Sequence, residues 1–155
     1  MNDLKDLVLP EAILPRLQAS SRRQALLTLS ETLAKAAGID ARAAFEAVLL
    51  RERLSGTGMG EGVAIPHARA PGLSHPVAAF ARLEPAQDFD ALDGRPADLI
   101  FMLLAPPERG GDHLKALARA SRFLRRAEIR EKLRAARSAV ELKALLTGAA
   151  QSDAA

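Results

Sequence analysis

A continuous apolar run, Leu99-Ile-Phe-Met-Leu-Leu-Ala105, ends at Pro106-Pro107 and limits more than any other segment how this chain can fold. At seven residues it is far too short to cross a membrane, which takes about 20. It offers no polar position to turn toward water. As a strand it must therefore be covered on both faces, as at the centre of a sheet between helices. The flanking sequence supplies those helices. Ser21-Arg-Arg-Gln24 reads as a capping box, with Leu26, Leu29, Leu33 and Ala37 following at helical spacing and Gly38 suited to a left-handed helix end. Asp40 can cap a second helix through Arg53, burying Ala44, Phe45, Val48 and Leu49, so the two should pack as a hairpin. Beyond the apolar run, Asp112 is the expected cap of a helix carrying Leu114, Leu117 and Leu124. Ser138-Ala-Val-Glu141 is a second capping box, opening a last helix through Leu146.

Between these helices the periodicity changes. Ser55-Gly-Thr-Gly-Met-Gly-Glu-Gly62 is rich in turn residues, Val63 to Ile65 reads as a short strand and Val77 to Leu83 as a longer one, and Asp93-Gly94 marks a turn. Residues 1–20, interrupted by Pro10 and Pro15, predict a short helix or turn and then an edge strand. Helices, then strands, then helices imply an α/β fold, a mixed β-sheet sandwiched between α-helices. With 155 residues the chain fits one domain, expected over residues 1–147, with 148–155 as a flexible tail. The first residues lack a basic start followed by an apolar stretch, so no signal peptide is expected. The chain reads as cytoplasmic, with no membrane partner.

Composition removes several chemistries. Without cysteine there is no disulfide framework, thiolate metal site or cysteine nucleophile. The net charge of +3 is too mild to demand a polyanionic partner. From Lys115 to Arg137, however, nine Lys or Arg stand against Glu128 and Glu131. That segment is either the solvated side of one Arg-rich amphipathic helix or an anion-binding or docking face. A nucleic-acid surface wants stacking aromatics, and this stretch offers only Phe123, so no nucleic-acid partner is expected.

Of the three histidines, His67 has the most telling surroundings. It follows Ile65-Pro66 at a strand exit, and Pro66 stiffens the backbone that delivers the imidazole. Arg69 would share its face if the strand continues. Such an imidazole could be structural, a general base, a metal ligand or a phosphoryl acceptor. The positions 67, 75 and 113 match no short ligand pair, so no metal and no cofactor are expected. No nucleophile elbow suggests a serine triad. The glycine series follows a helix and lacks a Lys-Ser or Lys-Thr ending, so it is not a nucleotide loop; it reads as a loop allowing close backbone approach to a phosphoryl site. His113, in the first turn of its helix, could meet an anion or merely sit at the surface. His75 looks like a loop histidine, and Arg51 a solvated cation near a helix end.

The stretch Leu54-Ser-Gly-Thr-Gly-Met-Gly-Glu-Gly-Val-Ala-Ile-Pro-His67 resembles the active-site motif of phosphotransferase-system enzyme IIA domains of the fructose/mannitol type, most of all their nitrogen-regulatory branch. Phe45-Glu-Ala-Val-Leu-Leu-Arg-Glu52, Phe89-Asp-Ala-Leu-Asp-Gly94 and Gly111-Asp-His-Leu114 extend the likeness. The resemblance implies that His67 accepts a phosphoryl group from an HPr-like carrier. It also implies that Arg51 and His113 stabilise the phosphoryl oxygens, and that the output is phosphorylation-dependent binding of regulatory target proteins. The alternative is a stand-alone sugar-specific IIA passing phosphate to a separate IIB; a chain this short leaves no room for IIB and favours the regulator. Ala68 stands where the family commonly has Gly, which bears on the shape of the loop after His67.

Overall fold

The computed structural model describes residues 4–107 and 111–148. Its strands are β1 (Val8–Gln18), β2 (Gly58–Gly60), β3 (Val63–Ala64), β4 (His67–Arg69), β5 (Val77–Gln87) and β6 (Ala97–Ala105). Its helices are α1 (Arg22–Ala37), α2 (Ala41–Leu54), α3 (Asp112–Leu124), α4 (Ala127–Ala135) and α5 (Ala139–Thr147). The sheet runs β1-β5-β6-β3-β2, with β4 also paired to β6. β5 and β6 are antiparallel, whereas β1 pairs β5, and β3 and β4 pair β6, in parallel. The mixed sheet expected from the sequence is the one observed.

The apolar run is buried on both sides. Along β6, Ile100, Met102 and Leu104 face a core shared with Leu26, Leu29 and Leu33 of α1 and Phe45 and Val48 of α2. Leu99, Phe101 and Leu103 face the opposite core, with Phe123, Ile129, Leu133, Leu142 and Leu146 of α3 to α5. The strand's period of two thus serves two cores at once. On β5, Ala79 and Ala81 face the α1–α2 side, while Phe80 faces the other and pairs with Phe101. β1 takes a sheet edge, and its register with β5 slips between Val8 and Ile13 and again between Leu14 and Leu17, the two stretches that hold Pro10 and Pro15.

The helix ends follow local chemistry. The Ser21 side chain accepts from the Gln24 amide and Gly38 closes α1 at φ 74; Asp40 caps α2 through the Ala43 amide. The two capping boxes differ from expectation in one bond. Gln24 Oε1 accepts from the amide of Ser20, and Glu141 Oε2 from that of Arg137, so each return bond reaches the residue before the cap. Asp112 is not a cap: it is the first residue of α3, and Gly111 precedes it without any side-chain bond. Leu114 is exposed rather than buried.

The basic segment is two helices instead of one. Arg126 is extended at ψ 121, and α4 begins at Ala127. No Gly or Pro marks the break. Arg130 Nη1 fills it by donating to the carbonyls of Leu124 and Arg125 at 3.1 and 2.6 Å. Arg119 pairs with Asp6, and Arg134 with Asp98, so part of the basic run holds the fold together. Phe123, the segment's one aromatic, is buried and cannot stack on a base. The expected tail lies outside the described residues from 149 onward, as does Gly110.

The glycine series was expected to let the backbone approach a phosphoryl site. Instead its close contacts lie elsewhere. A Cβ on Gly56 would collide with the Phe89 carbonyl and with Asp90, and one on Gly58 would lie 2.9 Å from Ala91. Gly62, at φ +77, meets the Arg134 guanidinium and Asp98. The glycines admit the 89–91 segment and α4 against the loop, and they leave room for β2, a strand that the turn-rich sequence hid.

Candidate active site

β4 continues the path of β3 after Pro66, pairing His67, Ala68 and Arg69 with Leu103, Leu104 and Ala105 of β6. His67 therefore opens β4 opposite Leu103, close to the C-terminal end of β6, the end of parallel strands where sites usually lie. Two further elements converge there. The last turn of α2 brings Leu50, Arg51 and Leu54, and the first turn of α3 brings His113. Together with Ala47, Ala68 and Arg69 these residues line a shallow pocket of about 390 Å³. His67 and His113 are 5.7 Å apart between ring centres, tilted by 54°. His75 is on a different surface, beside Lys115 and Arg119, with its Nδ1 3.1 Å from Ser74 Oγ. Ala68 lies within β4; among the described residues only Glu61 and Asp90 have positive φ without being glycine. The strand asks nothing of Ala68 that alanine lacks.

One hydrogen bond sets the chemistry of His67. Its Nδ1 lies 2.7 Å from the carbonyl oxygen of Ile65. A carbonyl can only accept, so Nδ1 carries the proton and the lone pair of the neutral ring is on Nε2. Burial holds the pKa of His67 below the ordinary 6.5, and the Arg51 cation lowers it further against the opposing pull of the Ile65 carbonyl. Burial likewise lowers that of His113, followed by the positive fields of His67 and Arg69. His113 Nδ1 is buried with no hydrogen-bond partner among the described residues. Arg51 Nη1 donates to the Ser55 carbonyl at 2.9 Å, and Arg69 Nη1 to that of Pro106 at 3.0 Å.

Among the described residues the pocket lining thus holds two guanidinium groups and two imidazoles, and no carboxylate. Such a lining suits an anion, beside a ring nitrogen that holds a lone pair. Leu50, Leu54 and Leu114 are 63%, 77% and 67% exposed. Leu50 and Leu54 stand four residues apart on α2, outside the stripe of Ala44, Phe45 and Val48 that enters the core. That second apolar pair, set off from the buried stripe, is legible in the sequence as an exposed apolar patch.

These fields make a direct prediction. Both histidines should titrate with midpoints below 6.5 in histidine NMR, and Arg51→Ala should raise the midpoint of His67. Because the unfolded chain binds protons that the folded rings refuse, these two groups cost stability as pH falls below about 6.5 and cost nothing above it. A His67 midpoint above 6.5 would contradict the geometry.

The phosphoenolpyruvate-dependent sugar phosphotransferase system EIIA 2 family matches residues 6–148. The chain belongs to this enzyme IIA family. Over 143 residues it is 50% identical to a nitrogen regulatory protein of Bradyrhizobium diazoefficiens, covering 92% of this chain and 94% of that one. The crystal structure of nitrogen regulatory protein IIA-Ntr from Neisseria meningitidis superposes with a TM-score of 0.85 at 33% identity, covering 93% of this chain and 99% of that chain. A fructose-specific EIIA component of Haloferax volcanii is 48% identical over 99 residues, or 64% of each chain. The enzyme IIA family is the phosphotransfer component of its system, and the α/β sandwich anticipated from the sequence is its fold. Among the described residues no helix is long and apolar enough to cross a membrane.

Proposed function

We propose that this protein is a cytoplasmic phosphohistidine carrier of the nitrogen-regulatory type. It takes a phosphoryl group on His67 from an HPr-like carrier and regulates target proteins through its phosphorylation state. The observation that carries the reading is the Nδ1–H bond of His67 to the Ile65 carbonyl, which leaves Nε2 as the nucleophile in a pocket whose described lining is cationic. The Nε2 lone pair forms the new N–P bond as the N–P bond on the carrier's histidine breaks. Each ring keeps its other N–H, so no proton changes hands. Arg51 and His113, both on the pocket lining, are the groups available to the phosphoryl oxygens, whose charge reaches about −2. The exposed leucines suit a donor that is itself a protein, because a free small phosphate would have no use for them.

Incubation with enzyme I, an HPr-type carrier and labelled phosphoenolpyruvate should place acid-labile label on the protein. No label with any of several such carriers would sink the reading. A sugar-specific role is the second possibility, favoured by the Haloferax relative. Rapid discharge of the labelled protein by a fructose-type IIB would select it. Stable label that changes retention of a regulatory target selects the nitrogen-type role.

A further inference from the structure

We propose that Glu52 and Thr57 are positioning residues, a buried clamp that sets the tautomer and aim of His67 and the place of Arg51. This rests on the phosphoryl-acceptor reading above. Glu52 lies in the last turn of α2 with its side chain only 4% exposed. A carboxylate is unfavourable there twice over, by burial and by the negative end of the helix dipole. Burial raises its pKa, and the Thr57 donors, then Arg22 and Arg51, oppose that rise. Such a group persists where its partners hold it. Glu52 Oε2 accepts from the Thr57 amide at 2.9 Å, and Oε1 from Thr57 Oγ1 at 2.7 Å. Arg22 Nη1 stands 3.6 Å away.

The clamp leads straight to the nucleophile. The Thr57 carbonyl accepts from the Ile65 amide at 3.1 Å, and the Ile65 carbonyl accepts from His67 Nδ1 at 2.7 Å. Pro66, between them, leaves that turn little freedom. On the other side, Arg51 donates to Ser55, in the same loop that Glu52 folds back. One carboxylate thereby anchors the supports of both side chains. If Thr57 lets go, the Ile65 carbonyl drifts and the ring is released to the Nε2–H tautomer. In that tautomer Nε2 has no lone pair to offer.

The test is 15N-histidine NMR on unphosphorylated protein, beside phosphoryl-uptake rates, for wild type, Thr57→Val, Thr57→Ser and Glu52→Ala. Thr57→Val keeps the shape and removes the hydroxyl. It should shift His67 toward the Nε2–H tautomer and slow uptake by about 10- to 100-fold, with Thr57→Ser restoring both to within about twofold. Folded Thr57→Val and Glu52→Ala proteins that keep the wild-type Nδ1–H signal would overturn the clamp, even if uptake slows in step with lost stability. Should Glu52→Ala not fold, the Thr57 pair still decides. The tautomer is read without phosphate, so a wild type that takes no label refutes the acceptor role while the clamp is still judged.

Discussion

His67→Ala is expected to abolish acid-labile phosphate uptake altogether while leaving the protein folded. Neither of the other histidines can stand in. His75 lies on another surface, and His113 Nδ1 has no hydrogen-bond partner among the described residues to fix which of its nitrogens holds the lone pair. The substitution removes a half-buried imidazole from a strand end that alanine can occupy, as Ala68 beside it does. The melting temperature should therefore move by no more than about 4 °C, the size of a roughly 1 kcal/mol change in a chain of this length. Phosphate-affinity electrophoresis before and after mild acid reads the first outcome, and a thermal melt the second. Label that survives in the folded variant would move the acceptor to another residue.

Arg51→Ala and His113→Ala should each slow transfer by roughly 10²–10³-fold without moving the label from His67, because on the proposed function each removes a group that meets the transition-state charge. The neutral ring of His113 offers one N–H, and the Arg51 guanidinium offers charge and a planar fork. Arg51→Lys should recover only part of the rate, since an ammonium keeps the charge and loses the fork. Single-turnover quench experiments with a phosphorylated carrier measure these rates. If Arg51→Ala transfers at the wild-type rate, Arg51 serves only its bond to Ser55. If the double variant is no slower than the slower single one, the two groups act on the phosphoryl as a unit.

Much of the fold was legible because its determinants are local. Caps at Ser21, Asp40 and Ser138 act over three residues, and the left-handed end at Gly38 acts over four. The run from Leu99 to Ala105 announced its own burial. Where the signal is not local, the reading failed. β2 lies among glycines whose need is set by Phe89, Asp90 and Ala91, some thirty residues on. The break between α3 and α4 is closed by Arg130 reaching back to carbonyls, with no Gly or Pro to betray it. Leu114 looked like core because it is apolar, yet it lies outside the stripe formed by Ala116, Ala120 and Phe123.

The candidate site divides along the same line. From the sequence alone came the stiff Ile65-Pro66 lead into His67, the resemblance of that segment to the enzyme IIA motif, and the absence of any thiol to carry a phosphoryl group instead. Only the tertiary structure decided that Nε2 is the free nitrogen, that the ring of His113, which the resemblance had pointed to, stands 5.7 Å from that of His67, and that Glu52 stands behind the loop. The physical reason is sequence distance. A cap or a proline acts on its neighbours, whereas His113 reaches His67 only because β4 pairs in parallel with β6, and β6 then delivers the start of α3 to the same end of the sheet.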